Sequence, residues 1–143
     1  MKGDLDKDLA SAYNRYYCYV SGPYTSDPEG NVLMAIVASN ELRKNRVVPF
    51  CPHLTHFMHK IEPDTYEAWM DFDCAWLSKC NCVLRLEGVS DGADREVALA
   101  KLLGKKVFIS IGEVLQDMQK VEEEHKRTDM FVQERRSHIE ATI

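Results

Sequence analysis

Two carboxylates in this sequence lie where apolar side chains belong. The residues from Ala93 to Leu103 predict a helix ended by Gly104, with Asp94, Arg95, Lys101 and Lys105 on an outward face. Glu96 is off that face. It precedes Ala100 by four residues and Leu103 by seven, which sets it on the apolar side about one turn from the helix start, where the dipole favours a carboxylate. A second helix is predicted from Thr65 to about Cys80, opened by a capping box of Asp64 and Glu67. In it Trp69, Phe72, Trp76 and Cys80 form a stripe expected to face the core. Asp73 follows Trp69 by four and precedes Trp76 by three, so it shares that stripe, whereas Glu67, Asp71 and Ser78 fall on a solvated face. A carboxylate among apolar side chains is unfavourable unless it is paired or put to use. The structural reading pairs each acid with a backbone N–H or with an arginine such as Arg85 or Arg95. The chemical reading divides work between them, one acid attacking or stabilising a cation and the other donating a proton.

Other residues could serve such a pair. Gly22-Pro23-Tyr24 makes a tight turn in which glycine lets the backbone approach a ligand and the Tyr24 hydroxyl can orient a carboxylate. Ser90-Asp91-Gly92 precedes a helix, so a hydroxyl and free N–H groups are available for a phosphate or a sugar hydroxyl; the plainer reading is that Ser90 or Asp91 caps the helix. His53, His56 and His59 recur every third residue and suit the lining of a base pocket, His56 above all, or ordinary loop packing. A metal would need them to converge with a further ligand, and no second ligand cluster has convincing spacing, so neither metal nor cofactor is expected. Cys51 has nucleophilic chemistry but no spaced partner to activate it.

These residues need a frame. Tyr16 to Ser21, Val47 to Phe50, Cys82 to Leu86 and Lys106 to Ser110 read as strands. Between them come a helix from Asn31 to Lys44, capped by Asn31 and apolar at 33, 36 and 37, and the two helices already described. Cys51 to Pro63 reads as a loop, and Val114, Leu115, Met118 and Val121 mark one face of a last helix. This alternation predicts an α/β fold, a Rossmann-like or flavodoxin-like three-layer sandwich with a mainly parallel sheet of four to five strands. Ligands in such sheets bind beyond the carboxyl ends of the strands, near the switch in strand order. Gly22 to Tyr24, the loop after Phe50 and Glu87 to Gly92 all fall there. The expected organisation is an N-terminal extension over 1–15, the α/β domain over 16–126 and a charged C-terminal helix or tail over 127–143.

The 143 residues suit one domain, and 45% hydrophobic with 29% charged residues is ordinary for a globular protein. A formal net charge of −5 gives no support to binding a nucleic-acid polymer. No apolar run approaches the roughly 18–20 residues of a membrane span, the acidic start from Met1 to Asp6 lacks a signal-peptide core, and the five scattered cysteines suggest no disulfide framework. The expectation is a cytoplasmic protein with no membrane partner.

Three segments carry a family resemblance: YVSGPY at 19–24, DFDCAWLSKCNCVL at 71–84 and SDGADREVALAKLLGKKVF at 90–108. Together they resemble the nucleoside 2-deoxyribosyltransferase superfamily over about Tyr16 to Ile109. The resemblance implies that Glu96, four residues after Gly92, is a nucleophile for C1′ of a sugar, and that Asp73 faces the base. Tyr24, or alternatively Tyr19, would be the aromatic residue after the first strand. Transferases of the family carry an acid six residues before the nucleophile, where this chain has Ser90. That difference looks like the branch that hydrolyses nucleoside 5′-monophosphates. The resulting expectation is hydrolysis of the N-glycosidic bond of a nucleoside or deoxynucleoside 5′-monophosphate, with deoxyribosyl transfer between bases as the alternative. Gly22, His56, Ser90, Asp91 and Gly92 are the expected substrate contacts. A non-catalytic nucleotide-binding or interaction module is the reading from another class. The resemblance also implies sites shared between subunits, and Met130, Phe131 and Ile139 are apolar residues in a charged tail, so a homodimer or higher homo-oligomer is expected.

Overall fold

A computed structural model describes residues 1–143. The chain forms α1 (Lys2–Ala12), β1 (Tyr16–Ser21), α2 (Pro28–Lys44), β2 (Val47–Phe50), a 3₁₀ turn (Pro52–Leu54), α3 (Thr55–Ile61), α4 (Tyr66–Leu77), β3 (Cys82–Arg85), α5 (Asp91–Leu102), β4 (Lys106–Phe108) and α6 (Ile111–Thr142). The four strands are all parallel, in the order β2-β1-β3-β4. From β1 the chain steps to one side to form β2, then crosses to the other side for β3 and β4. The carboxyl ends of β1 and β3 therefore flank the switch crevice.

The expected mixed α/β architecture is present, with helices on both faces of the sheet. On one face Cys18, Val20, Val47, Cys82 and Leu84 pack against Ala35, Ala38 and Leu42 of α2 and Val114 and Met118 of α6. On the other, Tyr19 and Val83 meet Leu77 of α4 and Ala100 of α5. The expected N-terminal extension is the helix α1, none of whose residues is buried. The expected tail continues α6, and every residue from 123 onward is exposed. No helix is long and apolar enough to cross a membrane.

Several local expectations are corrected. Asp27, not Asn31, caps α2: its side chain accepts from Gly30 N at 3.3 Å and Pro28 follows as the first helical residue. Asn31 instead donates to Tyr24 O and to Ser26 Oγ, both at 3.1 Å, bracing the turn after β1. The buried face of α2 is Val32, Ala35, Ala38 and Leu42, while Leu33 and Val37 point outward. Small alanines let the helix approach the sheet, so the bulkier residues were poor guides to its orientation. The same shift by one residue affects α4. Its buried positions are Met70, Asp73 and Leu77, and Phe72 and Trp76 are exposed.

The stretch from Cys51 to Pro63 is no loop, because the 3₁₀ turn and α3 occupy most of it. Thr65 caps α4 by accepting from Ala68 N at 3.1 Å, which displaces the expected Asp64–Glu67 box. β3 ends at Arg85 and β4 at Phe108, shorter than expected. Ser110 leaves the strand to cap α6, in a capping box with Glu113. α5 begins at Asp91, earlier than expected, under a Ser90 cap. Its other end closes as foreseen: Gly104 adopts φ +71°, Gly104 N donates to Lys101 O at 3.1 Å and Lys105 N to Ala100 O at 2.8 Å.

Candidate active site

At the crevice β1 and β3 stay paired to their last residues, Ser21 opposite Arg85. Leu86 N donates to Ser21 O at 2.8 Å, and a Cβ on Gly22 would stand 3.0 Å from Leu86 Cβ. Glycine is what lets the two strand ends lie this close. Beyond them opens a cavity of about 710 Å³. Glu96, Asp73 and Tyr24 line it, and so do Gly22, His56, Ser90, Asp91 and Gly92. Every site residue named from the sequence is thus brought to one place, by β1, α3, α4 and the start of α5.

Glu96 is buried to 7% exposure and both of its oxygens are held. Tyr19 Oη donates to Oε1 at 2.7 Å and Ser21 Oγ to Oε2 at 2.6 Å. Strand geometry explains the pairing, since alternate residues of β1 share a face and Tyr19 and Ser21 both turn toward α5. Burial pushes the Glu96 carboxyl above its ordinary range; the Ser21 and Tyr19 hydroxyls and the Arg85 charge work in the opposite direction. The phenol on Glu96 is therefore Tyr19, not Tyr24. Tyr24 Oη lies 2.6 Å from His56 Nδ1, at the cavity wall.

Asp73 presents a different environment. It is buried, its Oδ1 has no hydrogen-bond partner, and burial followed by the neighbouring charge of Glu96 raises its pKa to about 7. Neither arginine pairs with either acid. Arg95 is taken by Glu67 in a two-point contact at 3.1 and 3.2 Å. Arg85 donates to Leu86 O, to Gly88 O at 2.9 Å and to Asp94 Oδ1 at 3.1 Å, which pins the turn leading to Ser90. The arginine pairing considered in the structural reading is thereby removed. What remains is an acid held by two hydroxyls beside an acid that retains a proton near neutrality, a division suited to a nucleophile and a proton donor.

Ser90 Oγ accepts from Ala93 N at 3.1 Å as the cap of α5, the plainer of the two readings of this residue, and Ser90 also lines the cavity. Asp91 is exposed at the cavity rim. The histidines do not converge, and no group of three or more His, Cys, Asp or Glu side chains is placed to hold a metal ion. His53 meets Pro23 O at 2.8 Å, His56 meets Tyr24, and His59 Nδ1 accepts from Trp69 Nε1 at 2.9 Å and from Asp64 N at 3.2 Å. Sequence reasoning passed over Ser21, Tyr66 and Trp69 as site residues. For Ser21 the signal was a polar residue ending a buried strand on the same face as Tyr19.

The Tyr19–Glu96 contact yields a prediction that needs no substrate. Tyr19→Phe is expected to lose about 1–3 kcal/mol of stability, because a buried carboxylate oxygen loses its donor. It should also move the Glu96 titration, followed by carboxyl ¹³C NMR, to higher pH. An unmoved titration would contradict the proposed role of Tyr19 in holding the carboxylate.

Fold and site together define a class: a doubly wound, all-parallel α/β domain with a buried acid pair in its switch crevice. The family model described as "Domain of unknown function (DUF7768)" matches residues 16–110, and the chain belongs to that family. The match runs from the start of β1 to the cap of α6 and includes every residue of the site. No curated protein matches the sequence.

Proposed function

We propose that this protein cleaves the N-glycosidic bond of a nucleoside 5′-monophosphate, with Glu96 as nucleophile and Asp73 as proton donor. The observation that carries the reading is the unequal pair of acids on one cavity, in the sequence context that resembles the nucleoside 2-deoxyribosyltransferase superfamily. A Glu96 oxygen attacks C1′, and a C1′–O bond forms as the C1′–N bond breaks. The bonding pair leaves with the base, whose nitrogen takes the proton held by Asp73. Water then attacks C1′ of the ester, Asp73 recovers a proton from it, and the sugar phosphate departs with Glu96 restored. Tyr19 and Ser21 hold the carboxylate in line throughout.

For the phosphate, the Ser90 hydroxyl and the first amides of α5, which have no partner inside the helix, offer donors at a helix N-terminus. A second reading, deoxyribosyl transfer between free bases, is favoured by the acidic lining. Asp64, Asp73, Asp91 and Glu96 border the cavity while no lysine or arginine does, and a neutral nucleoside suits that balance better than a dianion. The five free thiols support a cytoplasmic setting, and the exposed Met130, Phe131 and Ile139 on α6 support a homo-oligomer.

Kinetics on matched substrates separate the two readings. Under the first, 5′-monophosphates exceed the corresponding nucleosides in kcat/KM, and an added second base leaves the products unchanged. Ser90→Asp keeps a helix cap but sets a negative charge beside the phosphate. It should remove the preference, by about 1–3 kcal/mol in a desolvated site. Preference for nucleosides, with the added base captured as a new nucleoside, would replace hydrolysis by transfer.

A further inference from the structure

Two buried side-chain atoms lack a hydrogen-bond partner, His53 Nδ1 and Asp73 Oδ1, and both residues line the same cavity. Unpartnered buried polar atoms are few in native proteins. The proposed reaction uses Asp73 and leaves His53 without a task. His53 is 6% exposed and sits in the 3₁₀ turn that follows β2. Its Nε2 stands 2.8 Å from Pro23 O, and a carbonyl can only accept, so Nε2 carries the ring proton and Nδ1 is a bare lone pair. Burial lowers the proton affinity of the ring, with the Pro23 and Gly22 carbonyls working in the opposite direction. The Tyr24 ring meets it edge-on, with centroids 6.3 Å apart.

We infer that His53 determines substrate specificity: its Nδ1 accepts a hydrogen bond from an N–H or O–H donor of the substrate. This rests on the reading of the cavity as a nucleoside or nucleotide site. In such a ligand the donor is either an exocyclic amine of the base or a hydroxyl of the sugar. A carbonyl oxygen at the same place would set lone pair against lone pair. A missing hydroxyl would leave Nδ1 unpaired, and sites built for a hydrogen bond reject analogues that lack it.

Equilibrium binding to the full-length chain tests the inference with ligand pairs that differ in one group. Adenosine against inosine and cytidine against uridine exchange an amine for a carbonyl. Each nucleoside against its 2′-deoxy or 3′-deoxy form removes a hydroxyl, and the 5′-monophosphates are tested in the same pairs. His53→Gln keeps an N–H for Pro23 O and removes the Nδ1 acceptor. The wild-type protein is expected to favour the donor-bearing member of at least one pair by about 10-fold or more in Kd. In His53→Gln that ratio should fall below about 2-fold. Amine pairs or hydroxyl pairs will carry the ratio according to which donor His53 meets.

The wild-type protein gives a second readout that no folding defect can cloud. The ¹⁵N resonance of His53 Nδ1 should shift with the donor-bearing ligand and not with its counterpart. No separation in any pair, a ratio that persists in His53→Gln, or an unmoved resonance would overturn the inference. Binding is read without turnover, so the two ideas fail separately. An intact His53-dependent ratio with no base released removes the glycosidase reading alone. Base release with no such ratio removes the His53 role alone.

Discussion

Glu96→Gln is expected to lower base release at least ~100-fold while leaving the protein folded, as removal of a covalent nucleophile does. The substitution keeps the shape of the side chain and deletes its charge. Tyr19 and Ser21, now 2.7 and 2.6 Å from the two oxygens, are hydroxyls that can reorient to accept from the new amide, so the contacts survive in altered polarity. Burial already disfavours the Glu96 anion, so losing the charge does not harm the fold. Circular dichroism and thermal unfolding should therefore match the wild type, with the change confined to turnover. Near-wild-type turnover would remove Glu96 from the mechanism.

Asp73→Asn is expected to inactivate the protein and yet to stabilise it at alkaline pH relative to acid. The unfolded chain releases the Asp73 proton near 3.8, whereas the folded chain holds it until about 7. Between those values the folded state binds more protons, so the contribution of Asp73 to stability falls as pH rises and levels off above about 7. With each pH unit of difference worth about 1.4 kcal/mol, the full swing is on the order of 4 kcal/mol. Asparagine cannot ionise and removes the swing. The stability of Asp73→Asn minus that of the wild type should therefore rise between pH 4 and pH 8 in denaturant unfolding at fixed ionic strength. A difference independent of pH would mean that Asp73 ionises normally in the folded protein. Such an acid could not hold a proton for the departing base near neutrality.

Much of this arrangement was legible in the sequence, for reasons that can be named. The strands were visible as short β-branched and aromatic runs, and their alternation with helices specified a parallel sheet and the edge where a site belongs. Glu96 and Asp73 stood out because a charge on an apolar face violates helical periodicity. What was lost depended on contacts distant in sequence. The faces of α2 and α4 are displaced by one residue, since large side chains such as Leu33 and Trp76 point outward while Ala35, Ala38 and Leu77 make the contacts. Trp76 instead stacks on Phe50, with centroids 5.1 Å apart, at the margin of the sheet.

The segment from 51 to 63 reads as a loop because its helical turns carry histidines and threonine in place of an apolar stripe. Its three-residue histidine spacing is nonetheless helical, and it turns His53 and His56 inward. Tyr19 displaced Tyr24 as the partner of Glu96 for a similar reason. Period-two alternation sets Tyr19 beside Ser21, but only the packing of α5 on that face of the sheet decides which tyrosine meets the acid.

The central claim is that Glu96 breaks an N-glycosidic bond, and release of free base tests it most directly. The purified protein and its Glu96→Gln variant are incubated with a panel of nucleosides and nucleoside 5′-monophosphates, and the products are separated by chromatography. Free base from at least one panel member with the wild-type protein, and at least ~100-fold less with the variant, is the result the account predicts. No free base from any member, or equal release by the variant, would contradict it and leave a nucleotide-binding module as the reading of the cavity.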